Sequence, residues 1–186
     1  MEQRKPTPDP YMSIIDGCLK NDRRAQKTMY DKLSSRMYPV CVRYVGDREL
    51  AKDILHDGFI TLFSKLRTYR GNGSFEGWAR KIFINTALMQ LRRDDILKFS
   101  QELDSAVSMH STTGLAIENM ETKTLLNIIM SMPAGYRTVF NMYAIEGYSH
   151  SEIAKALGIT ESGARSQFSR ARAWLQEKLK SENYGR

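Results

Sequence analysis

The chain has 186 residues, enough for one large domain or two small helical ones, and 28 basic against 21 acidic residues give it a net charge of +7. No apolar run reaches the length of a membrane span, and residues 1–10 lack the apolar core of a signal peptide, so we expect a cytoplasmic protein without membrane insertion. The two cysteines, Cys18 and Cys41, are far from the CxxC spacing of a zinc site, so we expect neither a metal ion nor another cofactor.

The positive charge is concentrated towards the two ends of the chain. Residues 1–95 contain 18 basic and 12 acidic side chains, residues 121–186 contain nine and six, and residues 96–120 contain one and three. Two basic regions on either side of an acidic segment suggest two lobes that face a polyanion such as nucleic acid. The charge alone fits an ordinary basic protein equally well.

The N-terminal half has a helical pattern throughout, and Asp9-Pro10 marks its first helix start. Pro39 predicts a kink or a break in the second helix. Asp47 and Ser74 are typical N-cap residues for the third and fourth helices, and a loop with two glycines precedes Ser74. The four predicted helices span residues 11–21, 22–45, 47–66 and 74–93.

The third predicted helix combines an apolar face with an acidic one. The outward side carries Asp53 and Asp57 with an exposed Ile60 close by, a pattern typical of a partner-binding surface. One stray apolar residue on a solvated acidic face explains the pattern equally well. The residues predicted to face the core are Ala51, Leu55, Gly58, Phe59, Leu62 and Leu66.

The fourth predicted helix places basic and amide side chains beside the glycine loop. Single strands are held by a basic track, aromatic platforms and a pocket for an extruded base. Tyr69, Phe75 and Trp78 can supply the platforms, although plain core packing explains Phe75 and Trp78 equally well. We also expect free N–H groups at the helix N-terminus after Ser74 to meet bases or phosphates. Spacings of four, three and four put one set of residues on a common face: Lys81, Asn85, Leu88 and Arg92.

Residues 96–117 are polar, rich in Ser and Thr and without a clear period, which predicts a flexible linker. Extended at about 3.3 Å per residue, it can span roughly 70 Å, or about two turns of DNA. Helical pattern resumes over 118–130, Pro133 breaks it, and a further helix over 136–146 ends at Gly147. With no strand-period segment, we predict an all-α fold of two small helical domains, residues 1–95 and 118–186.

The C-terminal domain contains the spacing of a helix-turn-helix. Ser149 and Glu152 form a capping box that starts a short helix, and Gly158 supplies its left-handed end. Thr160 then caps the next helix after a turn of about three residues.

The second helix of this pair has a core face and a polar face. Its core face carries Ala164, Phe168, Ala171, Leu175 and Leu179. Arginines pair bidentately with guanine and serines hold phosphate, so the outer face suits the major groove better than it suits a merely solvated helix. The predicted DNA-binding residues are Ser162, Arg165, Ser166, Ser169, Arg170 and Arg172.

The C-terminal sequence resembles the region 4 domain of extracytoplasmic-function sigma factors. In that family the last helix of the domain recognises the −35 promoter element. Two residues depart from the pattern: Ala164 stands where the family often has Val, and Gln167 where it often has a basic residue. The matching motifs are Met132-Pro133, Tyr136-Arg137, Val139-Phe140, Glu146-Gly147-Tyr148-Ser149, Glu152-Ile153-Ala154, Leu157-Gly158-Ile159 and Ser169-Arg170-Ala171-Arg172.

The N-terminal half resembles the same family in two segments. Residues 51–63 are similar to the sigma helix that docks on the coiled coil of the largest polymerase subunit. The resemblance implies polymerase contacts for Asp53, His56, Asp57 and Ile60, with His56 in place of the usual Gln.

Residues 69–87 resemble the sigma segment that melts the −10 element and traps a flipped base in its loop. The resemblance implies a base pocket formed by Gly71, Asn72, Gly73, Ser74 and Phe75, beside Trp78. It also implies that the exposed strand and its phosphates are held by Lys81, Asn85 and Arg92.

Together the resemblances imply a sigma factor, not an enzyme, whose partners are core RNA polymerase, promoter DNA and an anti-sigma protein. The competing hypothesis is a helix-turn-helix regulator with an effector-binding N-terminal domain, which would bind duplex DNA without polymerase. An enzyme that acts on DNA has no support, because we find no carboxylate cluster, Cys/His pair or phosphate loop.

Overall fold

The computed structural model describes residues 9–93 and 120–181, and within these ranges every regular element is a helix, in agreement with the predicted all-α class. A short 3₁₀ turn, Leu66–Thr68, follows the third helix, and a π-helical turn, Asn141–Ile145, continues the sixth. The predicted linker, residues 96–117, lies outside the described residues. The helices are α1 Met12–Leu19, α2 Arg23–Val45, α3 Arg48–Lys65, α4 Phe75–Arg93, α5 Met120–Ser131, α6 Ala134–Phe140, α7 His150–Leu157 and α8 Glu161–Ser181.

The described residues form two compact units, and each unit combines segments that are separated along the chain. The first unit comprises residues 9–41 and 52–86, and the second comprises residues 42–51, 87–93 and 120–181. None of the helices in these ranges combines the length and the hydrophobicity needed to cross a membrane.

The first unit is built on close contact between α3 and α4. Gly58 lies against the ring of Phe83, and a Cβ at Gly58 would stand 2.3 Å from that ring. Phe59 packs edge-on against the same ring, with centroids 5.1 Å apart. Glycine at position 58 therefore sets how closely the two helices approach. The largest fully buried side chains around them include Met29, Leu33, Met37, Leu62, Phe75 and Phe83.

Helix α2 continues through Pro39, so of the predicted kink or break the break is wrong. A proline inside a helix removes one backbone hydrogen bond and crowds the preceding turn, at a cost of about 3 kcal/mol. The residues on either side, among them Met37, Val40 and Cys41, are buried, and their packing offsets this cost. Burial also raises the pKa of the Cys41 thiol to about 12, which makes Cys41 a protonated packing residue.

The second unit contains a buried arginine at the ends of two helices. The guanidinium of Arg137 donates to the carbonyl oxygens of Tyr44 (3.0 Å) and Val45 (2.8 Å), the last residues of α2. It also donates to the carbonyls of Met130 (2.6 Å) and Met132 (2.9 Å), at the end of α5. Burial lowers the pKa of Arg137 to about 10, which leaves the side chain charged at neutral pH. The cation thus satisfies carbonyls that a helix C-terminus leaves without partners.

A buried ion pair lies in the same unit. Arg43 donates to Glu146 at 2.6 Å, and these side chains are only 11% and 6% exposed. Asn141 accepts from the Nε of Arg43 at 3.1 Å and donates to its carbonyl at 2.9 Å. Gly46, with φ +73°, leaves room for Arg137, since a Cβ there would stand 2.7 Å from the guanidinium. These contacts join residues 42–46 to the C-terminal helices.

Candidate nucleic-acid and partner interfaces

The helix-turn-helix forms with the predicted local geometry. The Glu152 amide donates to the Ser149 hydroxyl at 3.2 Å, and the Glu152 carboxylate accepts from the Ser149 amide at 2.8 Å, which completes the capping box. Gly158 ends α7 in the left-handed conformation, with φ +70°. Thr160 accepts from the Gly163 amide at 3.0 Å and so caps α8. Each capping bond is local, and together they set the turn between the two helices.

Helix α8 has a buried side and an exposed side. Ala164 and Ala171 are fully buried, and Phe168 packs on the ring of Tyr143 with centroids 4.4 Å apart. Arg165 forms an ion pair with Glu161 one turn earlier on the exposed side. An arginine that pairs with a base must exchange this carboxylate for the base. All six predicted DNA-binding residues are exposed: Ser162, Arg165, Ser166, Ser169, Arg170 and Arg172.

The predicted partner-binding residues all lie exposed on the outer face of α3. Ile60 is 57% exposed, whereas the neighbouring Phe59 and Leu62 are buried. More than half of the Ile60 side chain is therefore open to solvent beside two exposed carboxylates. The four exposed side chains on this face are Asp53, His56, Asp57 and Ile60.

The glycine loop is exposed from Gly71 to Ser74. Gly71 and Gly73 adopt left-handed backbone conformations, with φ +74° and +89°, and a Cβ on either would meet no atom within 4 Å. Replacement of these glycines therefore costs backbone strain without a collision. The loop is open to solvent, and its shape depends on residues with positive φ.

The aromatic residues beside the loop are not equivalent. Phe75 is fully buried and contacts Tyr11, Tyr69 and Trp78, with ring centroids 5.1 to 5.5 Å apart. A fully buried ring cannot stack on a base, so of the two alternatives for Phe75 its burial favours core packing beneath the loop. Tyr69 and Trp78 are half-buried and keep part of their rings at the surface.

The exposed stripe of α4 differs by one residue from the predicted face. Lys81, Asn85 and Arg92 are exposed as expected, but Leu88 is buried. Met89 is 64% exposed instead. It lies one turn beyond Asn85, and this spacing was the only signal in the sequence that could have identified it.

The N-terminus of α4 is not open to a ligand in the way the sequence suggested. The Phe75 amide donates to the Asp9 carboxylate at 2.7 Å, and the Gly77 amide donates to the Ser74 hydroxyl at 3.0 Å. Two amides that we expected to donate to bases or phosphates therefore already donate to oxygens of the protein. Asp9 was predicted only as a helix start, and no local pattern links it to a residue 66 positions later.

The described residues contain no group of three or more His, Cys, Asp and Glu side chains placed to hold a metal ion. Cys18 and Cys41 are buried and not disulfide-bonded.

The comparisons with known families match both halves of the chain. Residues 29–95 match the model of sigma-70 region 2, and residues 122–175 match the model of sigma-70 region 4. The two segments together cover more than half of the chain, and each lies in the half of the chain where the sequence showed the corresponding resemblance.

Relatives and a solved structure extend the match along the chain. The RNA polymerase sigma-H factor of Pseudomonas aeruginosa is 26% identical over 184 residues, covering 93% of this chain and 95% of the relative. The ECF RNA polymerase sigma-E factor of Escherichia coli K12 is 22% identical over 177 residues, covering 89% and 92%. The sigma factor RpoE from Bartonella quintana, in co-crystals with the anti-sigma factor NepR, covers 83% of this chain and 96% of its own, with 18% identity and a TM-score of 0.51; this likeness concerns the fold alone. The chain therefore belongs to the sigma-70 family, as an RNA polymerase sigma factor of the extracytoplasmic-function type that directs promoter-specific transcription.

Proposed function

We propose that the two family regions divide the promoter between them. Residues 1–95 dock on core RNA polymerase and open the −10 element, residues 118–186 recognise the −35 element, and residues 96–117 connect the two. The observation that carries this proposal is the pairing of an exposed arginine and serine face on α8 with an exposed Lys/Asn/Arg stripe on α4. The protein acts in the cytoplasm as a binding subunit and supplies no catalytic group of its own.

The outer face of α3 is the proposed polymerase-docking surface, defined by Asp53, His56, Asp57 and Ile60. Its partner is the coiled coil of the largest polymerase subunit. The support is the shared exposure of two carboxylates and a large apolar side chain on one helix face. An anti-sigma protein is a further proposed partner, because the Bartonella quintana sigma factor of the same fold is bound to one.

The exposed face of α8 is the proposed −35 interface. We expect Arg165→Ala to relax discrimination at one upstream base pair by about 1–3 kcal/mol, because a bidentate arginine distinguishes guanine from other bases. Arg172→Ala is the matched control: if Arg172 contacts phosphate, it should weaken binding to all sequences alike and reduce the salt slope by about one unit. Binding of the holoenzyme to a library of upstream-element variants measures both effects. Identical base-preference profiles for wild type and Arg165→Ala would remove Arg165 from direct readout.

The loop and the exposed stripe of α4 are the proposed −10 interface. We expect Asn85→Ala, or Ala-Ala in place of Asn72-Gly73, to leave polymerase binding and −35 binding nearly unchanged. Both variants should reduce open-complex formation, because single-strand contacts stabilise only the opened state. The loss should shrink on a template with a premelted downstream bubble.

Permanganate reactivity of unpaired thymines measures this opening directly. The loop variant should in addition lose its preference among bases at one downstream position, whereas Asn85→Ala should keep it. Normal thymine reactivity of both variants on closed duplex would place melting elsewhere in the protein.

A further inference from the structure

Asp9 joins the start of the described chain to the start of α4. One carboxylate oxygen accepts from the Tyr11 amide at 2.9 Å, in the turn that leads into α1. The other accepts from the Phe75 amide at 2.7 Å, directly after the glycine loop. Because both oxygens are used, one side chain fixes two segments that are 66 residues apart.

Tyr69 binds the loop at the residue before Ser74, whereas Asp9 binds the residue after it. Its hydroxyl lies 2.8 Å from the Gly73 carbonyl and 3.4 Å from the Asp9 carboxylate. A phenol has one proton, so the shorter contact to Gly73 is the hydrogen bond, and the longer one adds little. The carbonyl before Ser74 and the amide after it are thus both held by residues outside the loop.

These two bonds attach the C-terminal end of the loop to residues outside it. Gly71 and Gly73 have positive φ, and no atom lies within 4 Å of where their side chains would be. The side of each glycine on which a Cβ would stand is therefore open. The ring of Phe75, buried under Tyr11, Tyr69 and Trp78, supports only the end of the loop at which Asp9 binds.

We propose that Asp9 is a positioning residue for promoter opening, whose carboxylate holds the loop Gly71–Ser74 in the shape that receives an extruded base. This inference rests on the proposed role of the loop in the −10 interface. Asp9 acts through the Phe75 amide and does not itself contact the base. It is half-buried and lines a cavity of about 280 Å³ with Ser74 and Gly77, so water can reach the amide when the carboxylate is removed. The Asp9→Ala variant is therefore expected to fold.

The test compares Asp9→Ala with Asp22→Ala in the full chain. Asp22 accepts from the Arg24 amide at 2.8 Å, the same carboxylate bond to the amide two residues on that Asp9 makes with Tyr11. The control therefore loses a comparable local bond while the bond from Asp9 to the Phe75 amide remains. We expect hydrogen exchange at the backbone amides of residues 73–75 to accelerate by about tenfold or more in Asp9→Ala and to stay unchanged in Asp22→Ala.

The second readout is made on holoenzymes assembled with each variant. Open complexes are measured by permanganate on closed duplexes that carry each of the four bases at the downstream position read by the loop. We expect Asp9→Ala to reduce the preference for the best base by about fivefold or more, and a loss of fold stability alone would not change this preference. Asp22→Ala should keep the wild-type preference.

The outcomes separate the inference from the proposed function. Unchanged hydrogen exchange in Asp9→Ala, or an equal effect in Asp22→Ala, overturns the positioning role. An unchanged base preference in Asp9→Ala, with a lost preference in the Asn72-Gly73 variant, also overturns it and leaves the loop as the base pocket. An unchanged preference in both variants contradicts the pocket itself, and the positioning role falls with it.

Discussion

The double substitution Asp53→Arg with Ile60→Asp is expected to abolish co-purification of the chain with core RNA polymerase. Both side chains are exposed on α3, so the substitutions leave the buried core residues of the first unit in place. If each carboxylate of the docking surface meets a cation on the polymerase, the charge reversal costs several kcal/mol, and the buried charge at position 60 adds to the loss. Affinity capture with purified core enzyme measures the binding, and circular dichroism checks the fold.

A matched control is available on another helix. Asp16 on α1 is also an exposed carboxylate, and Asp16→Arg should bind core polymerase as wild type does. Loss of binding in the double variant alone assigns the contact to the α3 surface. A folded double variant that binds core polymerase normally would refute the docking assignment.

Arg137→Ala is expected to lower the free energy of unfolding of the second unit by roughly 3–5 kcal/mol. The substitution removes the donor from four backbone carbonyls, those of Tyr44, Val45, Met130 and Met132. Each buried acceptor left without a partner costs about 1–3 kcal/mol, and water that enters the vacated space restores part of the loss. Urea denaturation followed by circular dichroism measures the change.

The control for this substitution is an exposed arginine of the same unit. Arg170→Ala on α8 should change stability by no more than about 0.5 kcal/mol, because its side chain is exposed. Arg137→Lys should be intermediate, since a single ammonium cannot reach all four carbonyls. A loss below about 1 kcal/mol in Arg137→Ala would mean that the four carbonyls find other partners, contrary to the role assigned here.

The parts of the fold that the sequence predicted well are those decided by local chemistry. The capping box of Ser149 and Glu152, the left-handed Gly158 and the Thr160 cap each involve residues within a few positions of one another. The two faces of α8 follow from a regular spacing over five turns. Local bonds and long periods are visible in a sequence because they do not depend on how the chain folds back.

The parts that the sequence missed depend on contacts between distant residues. The burial around α2 carries the helix through Pro39, which no local rule predicts. Leu88 and Met89 differ by one position, and only the packing of α4 decides which of them is buried. The bond from Asp9 to the Phe75 amide crosses 66 residues, so the sequence suggested an open helix N-terminus where the structure has an occupied one.

Transcription in vitro from a library of genomic fragments tests directly whether this chain takes core RNA polymerase to particular promoters. Core RNA polymerase is supplied with the wild-type chain, with the Asp53→Arg/Ile60→Asp variant, or with neither. We expect transcripts that start at defined positions only when the wild-type chain is present, downstream of shared −35 and −10 elements. Specific binding of the chain to duplex DNA, with no transcript that depends on its addition to core polymerase, would contradict this expectation.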